Sequence, residues 1–317
     1  MTCEIVTVTL NPAIDRTVAV DRLTLGAVHR ARSSLSNAGG KGVNVAGCLA
    51  DWGLRPIVTG ILGRDNAAPF EAFFAAKGID DRFVRAAGET RTNIKIADLA
   101  TGETTDLNLP GLHVSTATYD AVWETLRAVV RPTTLVVVAG SLPENLPVVT
   151  LAALVSDLTR LGARVVLDTS GEPLARALAP EVRHLPFAVK PNRAELEDFA
   201  GRPLAGEAEI AAAARALVER GLGLVVVSRG ADGAIFVTAE AALTARLPPV
   251  TALSTVGAGD AMVAGMVAGL AEAAPLERIA RLGVAFAAAK LADVGPNLPS
   301  VAAVRELAAA VTLRPVD

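Results

Sequence analysis

The sequence predicts an α/β fold, a mostly parallel central sheet covered by helices, with a small polar β lid beside it. Three observations predict it. Short apolar β-branched runs at 135–139, 164–168, 187–190 and 224–228 alternate with helix-length segments. Runs of that kind, apolar on both faces, belong to buried parallel strands. Each run also ends in polar or glycine-rich residues: Gly140-Ser141, Asp168-Thr169-Ser170, Lys190-Pro191-Asn192 and Ser228-Arg229-Gly230. In a parallel sheet those ends open on one rim, where ligands bind, so a nucleotide-sized crevice is expected there. Finally, residues 90–109 leave the strand–helix rhythm and alternate polar with apolar.

In order along the chain, residues 5–10 read as a first strand that Asn11-Pro12 stops, and 17–20 as a short β stretch. Residues 21–35 read as irregular, and the glycine-rich 37–42 leads into a helix over 43–50 that Gly53 ends. A strand at 57–62 precedes a helix at 67–77, with Gly78 placed as its C-terminal cap. Arg91, Asn93 and Lys95 share one strand face and Thr92, Ile94 and Ile96 the other. With the turn Thr101-Gly102-Glu103 and a return strand over 104–109, this is a hairpin suited to a lid. Between the parallel strands lie helices at 147–161, 173–178, 193–199 and 208–220. A hairpin pair at 234–237 and 243–247 precedes two helices at 261–270 and 276–291. Ala261, Ala264, Gly265, Ala268 and Gly269 leave one helix face bare, as Ala285, Ala288 and Ala289 do on the next, which suits close helix packing or a flat ring.

Composition narrows the function. A net charge of −3 without a basic block gives nucleic-acid binding no support. The longest apolar stretch, 261–270, falls short of a bilayer span, and no signal peptide is visible, so a soluble cytoplasmic protein is expected. Cys3 and Cys48 read as reduced thiols, and the histidines and cysteines show no zinc-ligand spacing.

The chemistry centres on Ser254-Thr255-Val256-Gly257-Ala258-Gly259-Asp260. Glycines ahead of a helix expose backbone N–H groups, and the helix dipole adds partial positive charge, so the site suits phosphate. A carboxylate there repels phosphate unless it takes a proton from a substrate hydroxyl. Read alone, Asp260 serves as well as a helix cap. The dinucleotide fingerprint fails because Met262 stands where a small residue is needed, and neither this stretch nor Gly39-Gly40-Lys41-Gly42 completes a Walker A motif.

Ala38-Gly39-Gly40-Lys41-Gly42-Val43-Asn44-Val45-Ala46 and Ser254 to Met262 resemble the two signatures of the ribokinase-like (PfkB) carbohydrate kinases. Thr9 to Asp15, Gly140-Ser141-Leu142-Pro143, Asp168 to Glu172 and Lys190-Pro191-Asn192-Arg193-Ala194-Glu195 agree, and together they resemble the hexose-phosphate branch from residue 5 to about 299. The resemblance implies one ribokinase-like domain over 1–317, a three-layer αβα sandwich with lid strands from about 11–21 and 90–110. It implies ATP-dependent phosphorylation of fructose 1-phosphate at the 6-hydroxyl. Tagatose 6-phosphate and fructose 6-phosphate are the rival substrates, and a sensor without turnover is the rival of another class.

By the same resemblance Asp260 is the base, and Gly257, Ala258 and Gly259 form the anion hole. Asp15, Gly39, Gly40 and Asn44 take the sugar, while Lys41 and Arg91, then Arg30, are candidates for its phosphate, as arginine's fork suits that anion. Lys190, Asn192 and the segment Ser228, Arg229, Gly230, Ala231, Asp232, Gly233 lie under the nucleotide, with Gly257 and Gly259 on its phosphates. Glu195 is associated with Mg²⁺ through water, its plainer role being to offset the helix dipole. A homodimer paired through the lid is implied as well.

Overall fold

The structure, a computed structural model, describes residues 4–248, 257–291 and 297–316. The first half contains β1 (Ile5–Thr9), β2 (Ala13–Val20), β3 (Ser33–Gly39), α1 (Lys41–Asp51), β4 (Ile57–Gly63), α2 (Ala68–Lys77), β5 (Asp80–Asp81), β6 (Val84–Ala86), β7 (Thr92–Asp98) and β8 (Thr104–Leu107). There follow α3 (Thr116–Val129), β9 (Leu135–Ala139), α4 (Val149–Arg160), β10 (Arg164–Asp168), α5 (Gly171–Ala177), β11 (Ala188–Val189), α6 (Arg193–Ala200), α7 (Glu207–Glu219) and β12 (Leu224–Ser228). The chain then forms β13 (Ala234–Val237), β14 (Ala242–Arg246), α8 (Ala258–Ala271), α9 (Leu276–Leu291), α10 (Val301–Ala310) and β15 (Thr312–Pro315).

The main sheet runs β15-β14-β13-β12-β11-β10-β9-β1-β4-β5, with β6 also on β4. From β12 to β5 the neighbours are parallel, and β13, β14 and β15 continue antiparallel. Because β9, β10, β11 and β12 are adjacent and parallel, their four polar ends do share one rim.

Alternation along each strand sorts the core into two layers. Ile5, Leu135 and Val137 pack with residues of α1, α8 and α9 on one face. Val6, Val8, Val136 and Val138 pack with Val122 and Leu126 of α3 and with α4, α5 and α7 on the other. This is a three-layer αβα sandwich. Among the described residues no helix is long and apolar enough to cross a membrane.

The bare face of α8 is spent on packing. A methyl group on Gly265 would stand 2.4 Å from the Leu282 carbonyl oxygen, and one on Gly269 would stand 3.0 Å from Ile279 Cα. The helix backbones thus approach as only glycine allows.

A second sheet has the order β3-β2-β7-β8. The 91–109 hairpin forms as its alternation predicts, and residues opposed across β2 and β7 put Asp15 beside Asn93 and Thr17 beside Lys95. Three readings need correction. The 21–35 segment is not irregular throughout: Ser33 opens β3, which continues through Asn37 to Gly39. Its run Ser-Ser-Leu-Ser-Asn-Ala-Gly lacks an apolar period, and backbone pairing with β2 makes it a strand. The β stretch at 17–20 likewise starts earlier, at Ala13, since Asn11-Pro12 separates β1 from β2. Finally, α3, α10 and β15 lie in segments that the alternating strand–helix pattern leaves unassigned; among the described residues β15 ends the sheet, paired with β14. Cys48 is a buried free thiol on α1, and Cys3 lies outside the described residues.

Gly265→Ala should therefore destabilise the protein by roughly 1–3 kcal/mol, as overpacking does, despite alanine's better helix propensity. Urea denaturation of the two proteins measures it, and an unchanged midpoint would show that the α8–α9 approach is not tight.

Candidate active site

The rim is built where the N-termini of two helices meet the ends of the parallel strands. Helix α1 starts at Lys41 after Gly40, and α8 starts at Ala258 after Gly257, whose φ of 79° is left-handed. The first N–H groups of each helix have no partner within it, which leaves anion-binding donors at both. Asp260 is the third residue of α8 and does not cap it: the N-cap is Gly257, with no side-chain cap bond. The cap reading is thereby corrected. The carboxylate of Asp260 is buried, and its Oδ2 accepts a 2.8 Å hydrogen bond from Asn44 Nδ2 on α1. Burial first, then the charge of Asp168, pushes the Asp260 carboxyl up to about 6, against the pull of Asn44, Lys41 and Lys190.

Asp168, at the end of β10, is 3% exposed and holds two cations. Its Oδ2 accepts from Lys41 Nζ at 3.0 Å, and its Oδ1 faces Lys190 Nζ at 3.2 Å. Lys190 is buried with it, and its Nζ lies 3.7 Å from where a Cβ on Gly259 would stand, at the start of α8. Lys41 is 42% exposed, so it can turn to a ligand. Burial pulls its ammonium down, but Asp168 and Asp260 outweigh that and hold it above the usual lysine value. The sequence marks Asp168 as a polar strand end and as part of a family motif, with no role of its own assigned. A carboxylate closing a buried apolar strand was the signal that it needs a cation. Sequence reasoning also missed Lys290, buried on α9, whose Cε lies 3.3 Å from where a Cβ on Gly257 would stand.

In the second sheet, a Cβ on Gly39 would stand 2.2 Å from Asp15 Oδ2, so the carboxylate occupies the room that this glycine leaves. Asn93 Nδ2 donates to Asp15 Oδ1 at 3.2 Å, while Asn93 Oδ1 is buried without a partner. Burial raises the Asp15 carboxyl, opposed by Asn93, Arg91 and Lys95. Asn11 Nδ2 ties the end of β1 to Ser141 Oγ and the Leu142 carbonyl, both at 3.1 Å.

Arg91 is brought to the same side, but its guanidinium donates to the carbonyls of Pro12, Leu109 and Asn11, each at 3.3 Å. It fastens the second sheet to the β1–β2 connection. Arg30 is exposed on the loop between β2 and β3.

At the start of α6, Asn192 and Glu195 form a capping box: Asn192 Oδ1 accepts from the Glu195 N–H at 2.9 Å, and Glu195 Oε2 from the Asn192 N–H at 2.8 Å. Ser228 pairs with Asn192 across an isolated bridge, and Gly230 to Asp232 make one 3₁₀ turn closed by Gly233. The guanidinium of Arg229 donates to Glu207 Oε1 and to the Asp232 carbonyl, both at 2.8 Å. Ser254, Thr255 and Val256 lie outside the described residues.

Residues 8–303 match the family described as pfkB family carbohydrate kinase. The chain belongs to the PfkB family. It is 49% identical over 314 residues to the 1-phosphofructokinase of Xanthomonas campestris pv. campestris, covering 99% of both chains. It is 45% identical over 316 residues to the 1-phosphofructokinase of Rhodobacter capsulatus, covering 99% of this chain and 98% of the relative. Phosphofructokinase-2 from Escherichia coli, solved in complex with fructose-6-phosphate, superposes with a TM-score of 0.89 at 30% identity, covering 97% and 98% of the two chains. The sandwich is thus the ribokinase-like fold, and this PfkB chain is a sugar kinase that transfers a phosphoryl group to a hydroxyl.

The neighbours of Asp260 set its titration, and two variants should move it in opposite directions. Asn44→Ala removes a bond to the ionised form, so the pKa rises and the acid limb of kcat/KM moves to higher pH. Asp168→Asn removes a like charge, so the limb moves to lower pH. Each shift should be roughly half to one pH unit, as expected for a hydrogen bond or a near charge. Measuring kcat/KM from pH 5 to 8 checks both, and the opposed directions separate the enzyme's titration from the substrate phosphate's, which is common to all three proteins.

Proposed function

We propose that this chain is a 1-phosphofructokinase, using ATP to phosphorylate fructose 1-phosphate at its 6-hydroxyl and giving fructose 1,6-bisphosphate and ADP. The observation that carries the chemistry is Asp260, a buried carboxylate in the first turn of a helix whose N–H groups point where phosphate would sit. The substrate is supported by the two full-length relatives at 45–49% identity, both named for that activity.

In this mechanism Asp15 and the turn at Gly39 and Gly40 orient the sugar, with Asn44 at the start of α1. Asn44 also aims the Asp260 carboxylate. Asp260 takes the proton of the 6-hydroxyl as its oxygen attacks the γ-phosphorus of ATP. The new O–P bond forms while the bond to the bridging oxygen of ADP breaks. Backbone N–H groups at Gly257, Ala258 and Gly259 hold the charge on the transferring group, the preorganised stabilisation that phosphoryl transfer chiefly needs. Lys190, fixed by Asp168, faces the nucleotide phosphates. Lys41 and Arg91 are the candidates for the sugar's own phosphate. Lys41 is the better placed, because Arg91 already serves three carbonyls. Asn192 and the turn from Ser228 to Gly233 (Arg229, Gly230, Ala231, Asp232) lie under the nucleotide.

Among the described residues no group of three acidic, histidine or cysteine side chains could hold a metal directly. Glu195, whose Oε2 accepts from the Asn192 N–H at the start of α6, would hold Mg²⁺ through water, which suits an ion that keeps its waters and leans on substrate phosphates. When bound it would supply charge neutralisation between the phosphates.

A second reading, fructose 6-phosphate or tagatose 6-phosphate attacked through the 1-hydroxyl, is favoured by the superposition on a phosphofructokinase-2 solved with fructose-6-phosphate. The chemistry is unchanged, with the sugar reversed. We further propose a cytoplasmic homodimer paired through the small sheet, because Val18, Ile94, Ile96 and the exposed Leu107 share one of its faces.

Asp260→Asn should lower kcat by roughly 10²–10⁴-fold, the usual contribution of a general base, with KM values little changed. Near-wild-type turnover would remove Asp260 from the mechanism. With wild-type protein, ATP and Mg²⁺, kcat/KM for fructose 1-phosphate should exceed that for both 6-phosphates, and the reverse order would favour the second reading. For the dimer, light scattering should show Ile94→Asp as a monomer and the unmodified chain as a dimer; a monomeric unmodified chain would end that proposal.

A further inference from the structure

Glu207 opens α7, where an acidic residue needs no more explanation than the helix dipole. Its carboxylate is nevertheless spent on three other elements. Oε1 accepts from Arg229 Nη1 at 2.8 Å, Oε2 accepts from Thr244 Oγ1 on β14 at 3.2 Å, and Arg314 on β15 pairs with Oε2 as well. These partners are 22, 37 and 107 residues away in sequence, so the contacts are tertiary.

Arg229 is the partner that matters for the site. Its side chain is 11% exposed, and a cation buried that far requires a counter-charge. Its other terminal nitrogen, Nη2, donates to the Asp232 carbonyl at 2.8 Å, and its N–H donates to the Gly233 carbonyl at 2.8 Å. The guanidinium therefore clips the 230–232 turn to itself with one nitrogen and to Glu207 with the other. A cavity of about 480 Å³ lies alongside, lined by Asn192, Gly206, Glu207, Ser228, Arg229 and Gly230, so no solid packing holds the turn from that side.

We propose that Glu207 is a positioning residue for nucleotide binding, holding the Ser228–Gly233 turn in its binding geometry through Arg229. The inference rests on the reading of that turn as the segment under the nucleotide. A turn that lies under the nucleotide binds best when held before the ligand arrives, because ordering it afterwards subtracts from affinity. Arg314 is 70% exposed and supports Glu207 from the solvent side, so it contributes less.

The test is steady-state kinetics of the full chain with ATP and the sugar phosphate varied separately, together with Tm. Glu207→Gln should raise KM for ATP roughly 5–20-fold, in line with breaking a largely buried ion pair, while kcat and KM for the sugar phosphate stay within about twofold. Glu207→Asp, which keeps the charge on a shorter arm, should restore part of the affinity and serves if the glutamine variant does not fold. In a double-mutant cycle, Glu207→Gln should add nothing to Arg229→Gln, since it acts through that residue. An unchanged KM for ATP, additive effects in the cycle, or a fall in Tm with both KM values rising together would each overturn the proposal. Gly230→Val separates the underlying reading: if it alters KM for the sugar phosphate and not for ATP, the turn is not the nucleotide segment. If it alters KM for ATP while Glu207→Gln does not, only the role of Glu207 fails.

Discussion

The site depends on the electrostatics of two buried carboxylates on one rim. Asp260 and Asp168 repel each other, and neither is open to water that would screen the repulsion. Two lysines and one asparagine make the arrangement tolerable. Lys41 and Lys190 share Asp168, and Asn44 holds Asp260. These five groups come from four elements, Lys41 and Asn44 both from α1, so the balance exists only when α1, β10, the segment after β11 and the start of α8 are assembled. Folding and the catalytic electrostatics are therefore one problem in this chain.

That assembly explains why the helices pack as they do. The carboxylate of Asp260 can meet Asn44 only if the first turns of α1 and α8 lie side by side, and both helices sit on the same face of the sheet. Helix α8 in turn is fixed by its backbone contact with α9 at Gly265 and Gly269. The small-residue stripe is thus not a ring-binding surface in the described structure. It sets the depth at which the N-terminus of α8 reaches the rim. On the other side, Arg91 fastens the second sheet to the end of β1 and so fixes Asp15 relative to the same helices.

What was legible in the sequence follows the strength of local signals. The parallel strands announced themselves as apolar β-branched runs, and their polar ends marked the rim, because burial on both faces leaves no other pattern. The 91–109 hairpin was legible from strict alternation. Strand β3 was not, since Ser33 to Gly39 has no apolar period and owes its conformation to the ladder with β2. Among the residues gathered on the rim, Asp260, Lys41 and Lys190 stand in motifs that the sequence displays. The partnerships do not show there: a hydrogen bond between Asn44 and Asp260, 216 residues apart, leaves no local trace. Asp168 and Glu207 escaped for a related reason, as each has an ordinary local explanation at a strand end or a helix start. Only the tertiary partners set them apart.

The value of about 6 for Asp260 is itself a compromise that the surroundings impose. A carboxylate left in water would be ionised at neutral pH but too weak a base to help a hydroxyl much. Full burial without partners would make it a stronger base and leave it protonated, hence useless. Burial and Asp168 push in one direction, and Asn44, Lys41 and Lys190 push in the other, so the carboxyl is ionised at neutral pH yet more basic than an exposed one. Lys41 is the least buried member of this set, and in the proposed mechanism it is the one drawn toward the sugar's phosphate. If it swings from Asp168 to that phosphate, Asp168 loses half of its compensation and its repulsion of Asp260 grows. Sugar binding would then raise the basicity of the group that must take the sugar's proton, which couples recognition of the phosphate to activation of the hydroxyl through one shared carboxylate.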